Sequence, residues 1–230
     1  MILCFIPARK GSKGVKGKNL KTLNGKPLIH YTLKLAKSLK KKNFYPFVST
    51  DSNKIKDEAK KFKISSSYIR PSKLARDDSS IVDTLIDALK YLSKNNQIFD
   101  DILLLEPTNP IRNEQEILNA YKVFKRDKKI KSLFSVIKVK ESPEEIICKK
   151  NEKWKFLVKK KSNKSGRQFF QNNHYFIDGN FYFVEKKFLL KNKSFIKENK
   201  GYPYIRKKIW PIDIDHIDDF KVASAFLNND

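Results

Sequence analysis

A loop rich in glycine and cationic side chains directly follows the first apolar run of the chain. It holds three glycines and five cationic residues and runs Ala8-Arg9-Lys10-Gly11-Ser12-Lys13-Gly14-Val15-Lys16-Gly17-Lys18-Asn19. Glycine lets a backbone approach a ligand closely, and free N–H groups beside Lys and Arg suit a polyphosphate. The spacing matches neither a Walker A loop nor the Gly-x-Gly-x-x-Gly pattern of dinucleotide sites. We therefore predict a phosphate-binding loop, with a solvated basic loop as the alternative.

A pair of carboxylates, Asp213 and Asp215, lies near the C-terminal end of the sequence. In a strand-like segment alternate residues share a face, so both carboxylates point the same way. Two neighbouring carboxylates repel each other unless a cation lies between them, and Mg²⁺ is commonly held by one or two carboxylates together with substrate phosphates. A metal site is one interpretation of this pair, and a solvated acidic turn is the other.

A third set of polar residues follows the most hydrophobic predicted strand. Interleaved with two prolines, its members are Glu106, Thr108, Asn109 and Arg112. A binding role and a turn structured by the prolines both account for them. None of the three histidines has a cysteine or serine partner at a suggestive spacing, which gives a nucleophilic triad little support.

Strand-like and helix-like segments alternate along most of the chain. Short apolar runs predict strands at 2–6, 45–49, 67–69, 102–105, 133–139 and 181–184. Apolar residues at helical spacing predict helices that begin at Pro27, after Asp51, at about 79, after Asn113 and at 219. Asn113 with Glu116 three residues later makes a capping-box-like start.

This alternation predicts βαβ units, and therefore an α/β, Rossmann-like fold with a mainly parallel central sheet. Such sheets bind ligands at the carboxyl ends of their strands. The glycine-rich loop, Arg70 and Glu106 all follow predicted strands. The alternation fails from about 141 to 178, where a segment near 155–159 predicts antiparallel pairing. We interpret this stretch as an arm, inserted into a single domain of residues 1–230, that serves dimerisation.

The charge balance first points to nucleic acid. Lys and Arg number 50 against 25 Asp and Glu, so the formal net charge is +25, and a basic excess drives phosphate binding. Only seven of these residues are arginines, and the abundance of Lys, Asn, Ile and Phe favours a surface set by composition. A nucleic-acid-binding α/β protein stays as the alternative from another class.

The composition also indicates the cellular compartment in which the protein works. The chain has two cysteines, too few for a disulfide framework or a cysteine zinc cluster, which favours a reducing compartment. No apolar run approaches the ~18 residues of a membrane span, and the apolar N-terminal stretch is too short for a secretory signal. We expect a soluble, cytoplasmic protein without a membrane or nucleic-acid partner.

Taken together, the motifs resemble those of the CMP-sialic acid synthetases, or acylneuraminate cytidylyltransferases. The resemblance spans nearly the whole chain and is weakest in the arm. Related uridylyl- and guanylyltransferases usually open with a Leu-Ala-Ala-Gly-type loop instead. The segments that carry it are Ile6-Pro7-Ala8-Arg9-Lys10-Gly11-Ser12-Lys13-Gly14, Gly17-Lys18-Asn19, Gly25-Lys26-Pro27-Leu28-Ile29, Val48-Ser49-Thr50-Asp51-Ser52, Arg70-Pro71, Leu74-Ala75-Arg76-Asp77, Pro107-Thr108-Asn109-Pro110-Ile111-Arg112 and Asp213-Ile214-Asp215.

The resemblance implies a nucleotide-diphospho-sugar-transferase fold, a homodimer, and a Mg²⁺-dependent reaction of CTP with a nonulosonic (sialic-acid-like) sugar acid. The anomeric hydroxyl would attack the α-phosphorus in line, giving a CMP-sugar and pyrophosphate. By position, the implied CTP-binding residues are Arg9, Ser12, Lys13, Lys18, Asn19, Arg70, Asp77 and Ser80. The implied sugar-binding residues are Glu106, Thr108, Arg167, Tyr175 and Asp178. Asp213 and Asp215 would hold Mg²⁺, and the catalytic residues would be Arg9, Lys18 and Asp215.

Several positions depart from the family pattern. Glu106 stands where sialic acid enzymes often have Gln, and an ionised carboxylate can only accept hydrogen bonds. Asp178 stands where the family often has Asn, and His216-Ile217 replaces the usual Thr-Glu. These departures make legionaminic, pseudaminic or another nonulosonic acid as good a candidate substrate as sialic acid. An eight-carbon keto sugar acid remains the alternative within the same reaction type.

Overall fold

The computed structural model of the chain describes residues 1–139, 143–158, 174–207 and 212–228. The strands are β1 Ile2–Pro7, β2 Thr22–Leu23, β3 Lys26–Pro27, β4 Phe44–Ser49, β5 Asp101–Leu104, β6 Ser132–Lys138, β7 Ile147–Lys150, β8 Lys153–Phe156, β9 Tyr175–Glu185 and β10 Tyr202–Ile205. The helices are α1 Ile29–Lys40, α2 Asn53–Lys61, α3 Ile81–Lys94, α4 Glu114–Arg126, α5 Lys186–Asn192 and α6 Ile217–Leu227.

Six strands form the central sheet in the order β10-β6-β9-β5-β1-β4. β1 is parallel to both β4 and β5, and β10 is parallel to β6. β9 runs antiparallel to both of its neighbours, β5 and β6. The predicted α/β architecture with a mainly parallel sheet is confirmed.

The continuous apolar sequence of β1 is explained by helices on both faces of the sheet. Cys4 and Ile6 belong to a core that includes residues of α1 and α4, whereas Leu3 and Phe5 belong to a second core built on α3. Because successive side chains of a strand point to opposite faces, a strand in this position needs apolar residues throughout.

Helix starts follow the local capping chemistry. The Asn113 side chain accepts a hydrogen bond from the Glu116 N–H at 3.0 Å, so the start predicted for α4 is confirmed. Ser52 and Ser80 cap α2 and α3 in the same way. Side-chain oxygens at these positions satisfy N–H groups that have no partner within the helix.

Two local predictions are wrong. Residues 67–69 do not form a strand: the Ser66 hydroxyl accepts from the Tyr68 N–H in a local turn instead, a pairing that competes with a sheet ladder. Pro27 does not begin α1 but lies in β3, paired with β2. Asn24 and Gly25, both at positive φ, make the tight turn between these two strands, as Asn-Gly pairs commonly do.

The predicted arm is described only in part, because residues 140–142 and 159–173 lie outside the described ranges. β7 and β8 form an antiparallel hairpin separate from the central sheet, so the predicted antiparallel pairing is present, a few residues earlier than expected. Residues 175–178 belong to β9 in the central sheet. The boundary of the arm at its C-terminal side therefore comes before Tyr175.

Candidate functional site

A cleft lies at the carboxyl ends of β1, β4 and β5, which are parallel and so end at one edge of the sheet. Its volume of about 290 Å³ admits a small organic ligand. The residues lining it are Pro7, Arg9, Gly11, Ser12, Lys18, Asn19, Arg70, Leu74, Arg76, Asp77, Ser79, Ile81, Thr84, Glu106, Pro107, Thr108, Asp213 and Asp215.

Lys18 joins the glycine-rich loop to the acidic segment 212–215. Its Nζ lies 2.8 Å from Asp215 Oδ1 and donates to the Ile214 carbonyl at 2.5 Å. The Lys18 side chain is 10% exposed and that of Asp215 is 65% exposed. The ammonium is therefore held against the cleft wall while the carboxylate faces the opening.

Apolar packing fixes the same two segments beneath the cleft. Val15 of the loop packs in one cluster with Ile212 and Ile214 of the acidic segment. Gly14 lies directly against the backbone of Asp215. Because buried apolar residues alternate with exposed carboxylates, both carboxylates face the cleft although this segment is not paired as a strand. The predicted alternation is confirmed.

Asp213 is held by the segment after β5. The Ile214 N–H donates to the Thr108 carbonyl at 2.9 Å, and the Thr108 side chain hydrogen bonds to Asp213. Desolvation by the cleft walls raises the pKa of Asp213, and the charge of Asp215 raises it further, against the lowering effects of Thr108 and Lys18. A carboxylate pair of this kind gains from a cation placed beside it.

The oxygen donors of this pair fit a hard divalent cation that takes its other ligands from a substrate. Within the described residues, no three or more His, Cys, Asp or Glu side chains are gathered closely enough to hold a metal ion by themselves. Mg²⁺ commonly binds through one or two carboxylates, substrate phosphates and water rather than through a complete protein cage. Asp213 and Asp215 therefore match Mg²⁺ bound together with a phosphate ligand.

Glu106 faces this pair from the end of β5. Burial raises the pKa of its carboxyl to about 7, with a further contribution from the charge of Asp213. Arg112 partly offsets this rise, and its guanidinium donates to the Glu106 carbonyl at 2.6 Å and to the Asn180 carbonyl at 2.6 Å. Arg112 thus fixes the backbone of this wall, and its own pKa is lowered to about 10 by burial.

The cations on the other side of the cleft are positioned by neighbouring groups. Arg9 pairs with Asp77 at 2.6 Å, and the Asn19 side chain donates to the Arg9 carbonyl at 2.9 Å. Arg70 is buried at the end of β4, where its Nε donates to Ser49 Oγ at 3.1 Å. Desolvation lowers the Arg70 pKa to about 10, which leaves the side chain charged at neutral pH.

Most of the predicted site residues meet in this cleft. Those that line it are Arg9, Ser12, Lys18, Asn19, Arg70, Asp77, Glu106, Thr108, Asp213 and Asp215. Lys13 and Ser80 do not line it; Ser80 uses its hydroxyl to cap α3. Tyr175 lies at the start of β9, paired with Lys138 of β6, and is also outside the lining. Arg167 lies outside the described residues.

Asp178 is not brought into the cleft. Its side chain is fully buried, pairs with Arg206 at 2.5 Å and accepts from Ser135. Arg206 also contacts Glu116 of α4 at 3.0 Å. This buried network joins β6, β9 and the end of β10, so the carboxylate of Asp178 is already paired within the protein.

Sequence reasoning missed one wall of the cleft. The start of α3 and the loop before it supply Leu74, Arg76, Ser79, Ile81 and Thr84. The only available signal was the Leu74-Ala75-Arg76-Asp77 motif, of which Asp77 alone was predicted as a site residue. The others are ordinary in type, and only the fold places them opposite the glycine-rich loop.

The fold matches known nucleotidyl-transferring enzymes over its full length. A CMP:2-keto-3-deoxy-manno-octonic acid synthetase solved with CTP aligns with a TM-score of 0.71 and 13% identity, over 99% of this chain and 98% of that one. The 4-diphosphocytidyl-2C-methyl-D-erythritol synthase of Anaerococcus prevotii aligns with a TM-score of 0.62 and 15% identity, over 99% and 98%. At such identities the likeness establishes the fold alone.

Fold and cleft together define an α/β protein with a ligand-sized cleft at the carboxyl ends of its parallel strands. The chain belongs to the cytidylyltransferase family, whose sequence profile matches residues 3–230. The family recognised from the sequence motifs is confirmed. Among the described residues, each helix is too short or too polar to cross a bilayer.

Curated relatives match between about half and two thirds of the chain, and the matches span about half of their own length or less. The CMP-N,N'-diacetyllegionaminic acid synthase of Legionella pneumophila is 41% identical over 125 residues, which are 54% of this chain and 53% of that protein. The pseudaminic acid cytidylyltransferase of Campylobacter jejuni is 35% identical over 123 residues, 53% of this chain and 52% of that protein. The N-acylneuraminate cytidylyltransferase of Escherichia coli is 33% identical over 147 residues, 64% and 33% of the two chains.

Proposed function

We propose that this chain transfers CMP from CTP to a nonulosonic acid and releases pyrophosphate. The observation that carries the proposal is the meeting of Arg9, Lys18 and Arg70 with Asp213 and Asp215 in one cleft. Cations suit a triphosphate, and a carboxylate pair suits the Mg²⁺ that accompanies it. The relatives whose names specify legionaminic, pseudaminic and N-acylneuraminic acid support the class of acceptor.

The reaction forms one bond and breaks one. The oxygen of the anomeric hydroxyl bonds to the α-phosphorus, the bond from that phosphorus to the β-phosphate bridging oxygen breaks, and the hydroxyl proton passes to solvent or a cleft base. Such transfers depend on positioning and charge neutralisation rather than on a protein nucleophile. Among the described residues no His or Cys lines the cleft, and this chemistry requires none.

The cations of the chain would bind and orient the triphosphate. Asp77 holds the Arg9 guanidinium and Asn19 holds its backbone carbonyl, so both ends of the residue are positioned by the protein. Preorganised donors stabilise developing charge without reorganisation at the moment of reaction. Arg9 and Lys18 would therefore stabilise the departing pyrophosphate. Lys13 and Ser80 remain proposed contacts at the rim, which a ligand larger than the cleft would reach.

Asp213 and Asp215 would hold the cation on the basis of their donor chemistry and shared exposure to the cleft. When bound, Mg²⁺ supplies Lewis-acid polarisation of a phosphoryl oxygen. The role of the protein is to keep the two carboxylates on one face, which Ile212 and Ile214 ensure by anchoring the segment in the core beneath.

The sugar acid would lie near Glu106 and Thr108, on the wall that ends β5. At neutral pH Glu106 is part ionised, because its pKa is about 7, and the ionised form favours a sugar that presents N–H or O–H donors there. Arg167 and Tyr175 remain predicted sugar contacts. Asp178 would support this wall only indirectly, since its carboxylate is bound to Arg206.

We also propose a homodimer in a cytoplasmic setting where CTP is available. Exposed apolar side chains on the β7–β8 hairpin and at the start of β9 support the dimer: Trp154 is 58% exposed and Phe176 is 54% exposed. Large apolar side chains gathered at a surface commonly mark an interface. Sedimentation of the purified chain gives the oligomeric state directly.

Thermal shift measurements test the nucleotide assignment. CTP with Mg²⁺ should raise the melting temperature by several degrees, as expected for a ligand well above its Kd. UTP with Mg²⁺ should raise it less, and single-stranded RNA should have little effect. A strong shift with RNA and none with CTP would reverse the proposal in favour of a nucleic-acid-binding protein.

A further inference from the structure

The ammonium of Lys18 is bound to the acidic segment 212–215. It contacts both the Asp215 carboxylate, at 2.8 Å, and the Ile214 carbonyl, at 2.5 Å. Its stem is buried, because the side chain is only 10% exposed. An ammonium has three N–H donors, so two are directed to the acidic segment and one is left for a ligand.

Lys18 is a cation that lines the cleft and acts on the carboxylates of this wall. The charges of Lys18 and Arg112 both act on Glu106 and Asp213. Arg112, however, is buried and donates to Glu106, Thr32 and Asn180. Its donors are therefore directed to the protein framework, whereas Lys18 lines the cleft.

A divalent cation bound to Asp215 would lie within a few ångströms of this ammonium. Like charges at such distances repel strongly, because screening is weaker in a partly desolvated cleft than in water. Lys18 contacts Oδ1 of Asp215, so a cation at this carboxylate would share it with the ammonium. The ion pair therefore weakens the binding of a cation that arrives alone.

We propose that Lys18 is a resident counter-ion, which occupies Asp215 until a triphosphate draws the ammonium away and admits the divalent cation. This inference rests on the proposed function, because it assigns the cation to Asp215. It adds an order of events: the metal enters with the nucleotide or after it, not before. Lys18 then raises the affinity for the triphosphate and lowers the affinity for a divalent cation that binds alone.

The surrounding contacts allow this exchange without moving the backbone. Ile214 is fixed by its N–H to the Thr108 carbonyl and by apolar packing with Val15. The Asp215 N–H donates to the Asp219 carboxylate at 2.8 Å. Only the ammonium must move, and a triphosphate carries more negative charge than the single carboxylate that it leaves.

The test measures Mn²⁺ binding without nucleotide, by titration calorimetry and by electron paramagnetic resonance, in the native chain and in Lys18→Met. Methionine keeps an unbranched stem and removes the charge. We expect Mn²⁺ to bind about tenfold more tightly to the variant, because a repulsive neighbour is gone. The Kd for CTP in EDTA should rise about tenfold or more, because a phosphate contact is lost.

Matched variants locate the effect. Lys16→Met also removes one positive charge from this loop, but at an exposed side chain. It should leave the Kd for Mn²⁺ as in the native chain. Adding Asp215→Asn to Lys18→Met should abolish the gain in Mn²⁺ affinity. Unchanged or weaker Mn²⁺ binding by Lys18→Met overturns the proposal, as does an equal gain in Lys16→Met.

A second measurement covers the case in which Lys18→Met does not fold. Proton–nitrogen correlation spectra of lysine ammonium groups in the native chain should show one protected signal, assigned to Lys18, that shifts when CTP is added. A Lys18 signal whose chemical shift does not change when CTP is added overturns the proposal. Neither readout requires turnover, so failure to make any CMP-sugar would reject the proposed function while leaving these results interpretable.

Discussion

Gly14 of the glycine-rich loop and the backbone carbonyl of Asp215 are in direct contact. A Cβ added to Gly14 would lie 2.0 Å from the Asp215 carbonyl oxygen and 3.1 Å from the carbonyl carbon. The first distance is far shorter than van der Waals contact, so no residue with a side chain fits without moving one of the two segments. This contact therefore fixes the position of the loop proposed to bind phosphate relative to the segment proposed to bind the cation.

Gly14→Ala should separate these two segments. We expect a loss of roughly 1–3 kcal/mol in the free energy of unfolding, the usual range for overpacking a close contact. Turnover should fall as well, because a displacement of about 1 Å at a reacting centre costs up to about 100-fold. Chemical denaturation and steady-state kinetics on the same preparations check both.

Gly11→Ala is the matched control for stability. Gly11 lies in the same loop, but a Cβ there meets nothing within 4 Å. Its unfolding free energy should stay within about 0.5 kcal/mol of the native value. If both alanine variants lose stability equally, the contact with Asp215 is not the cause.

Asp215→Ala should abolish turnover. Removing one of two cation-facing carboxylates should lower kcat/KM at least about 1,000-fold, as loss of a group that stabilises transition-state charge commonly does. Asp218→Ala is the control, because Asp218 is exposed in the next turn and pairs only with Lys221 among the contacts described. Survival of Mg²⁺-dependent product formation within a few fold in Asp215→Ala would remove the cation assignment.

Glu106 should make stability depend on pH. Its pKa is raised from 4.5 to about 7, so between these values the folded protein holds a proton that the unfolded chain releases. The free energy of unfolding therefore falls as pH rises through this window. Glu106→Gln removes this titrating group. The free energy of unfolding of the variant minus that of the native chain should therefore increase by roughly 1–3 kcal/mol from pH 4.5 to 7 and then level off.

Denaturant titrations at half-unit pH steps, in the absence of divalent cations, measure this difference. Glu145→Gln, at an exposed carboxylate, is the control. Its free energy of unfolding should differ from that of the native chain by the same amount at every pH. A Glu106→Gln difference that stays constant with pH would show that the carboxyl has no raised pKa.

Local features of this fold could be read from the sequence. Leu3 and Cys4 belong to opposite cores, and an unbroken apolar run is what such a strand requires. Asn113 caps α4 because its side-chain oxygen needs only a backbone N–H three residues away. The loop that contains Lys18 was recognisable for a similar reason: its glycines and cations are adjacent in the chain.

Features that depend on residues far apart in the sequence could not be predicted from the local sequence. β9 was recognisable as apolar, but its antiparallel place between β5 and β6 depends on pairs such as Leu103 with Phe183. The family resemblance predicts Asp178 near the sugar. Its carboxylate instead pairs with Arg206, 28 residues further along the chain, and nothing in the local sequence points to that partner.

Asp178→Ala distinguishes a structural role from sugar binding. The variant leaves the buried Nη1 of Arg206 without its carboxylate partner, while Nε still pairs with Glu116. This should lower the free energy of unfolding by roughly 1–3 kcal/mol. The KM for the sugar acid, measured where the variant is folded, should change less than about threefold, since no lost contact reaches the substrate. Glu198→Ala, at an exposed carboxylate, controls for the loss of charge. A KM raised tenfold with native stability would place Asp178 at the sugar instead.

The most direct test of the account is product analysis with CTP, Mg²⁺ and a panel of eight- and nine-carbon keto sugar acids. The panel should include sialic, legionaminic and pseudaminic acids and an octulosonic acid, with CMP-sugars detected by mass spectrometry and pyrophosphate measured in parallel. We predict a CMP-sugar and an equal amount of pyrophosphate with at least one nine-carbon acid. No product with any nine-carbon acid, or product from the octulosonic acid alone, would contradict it.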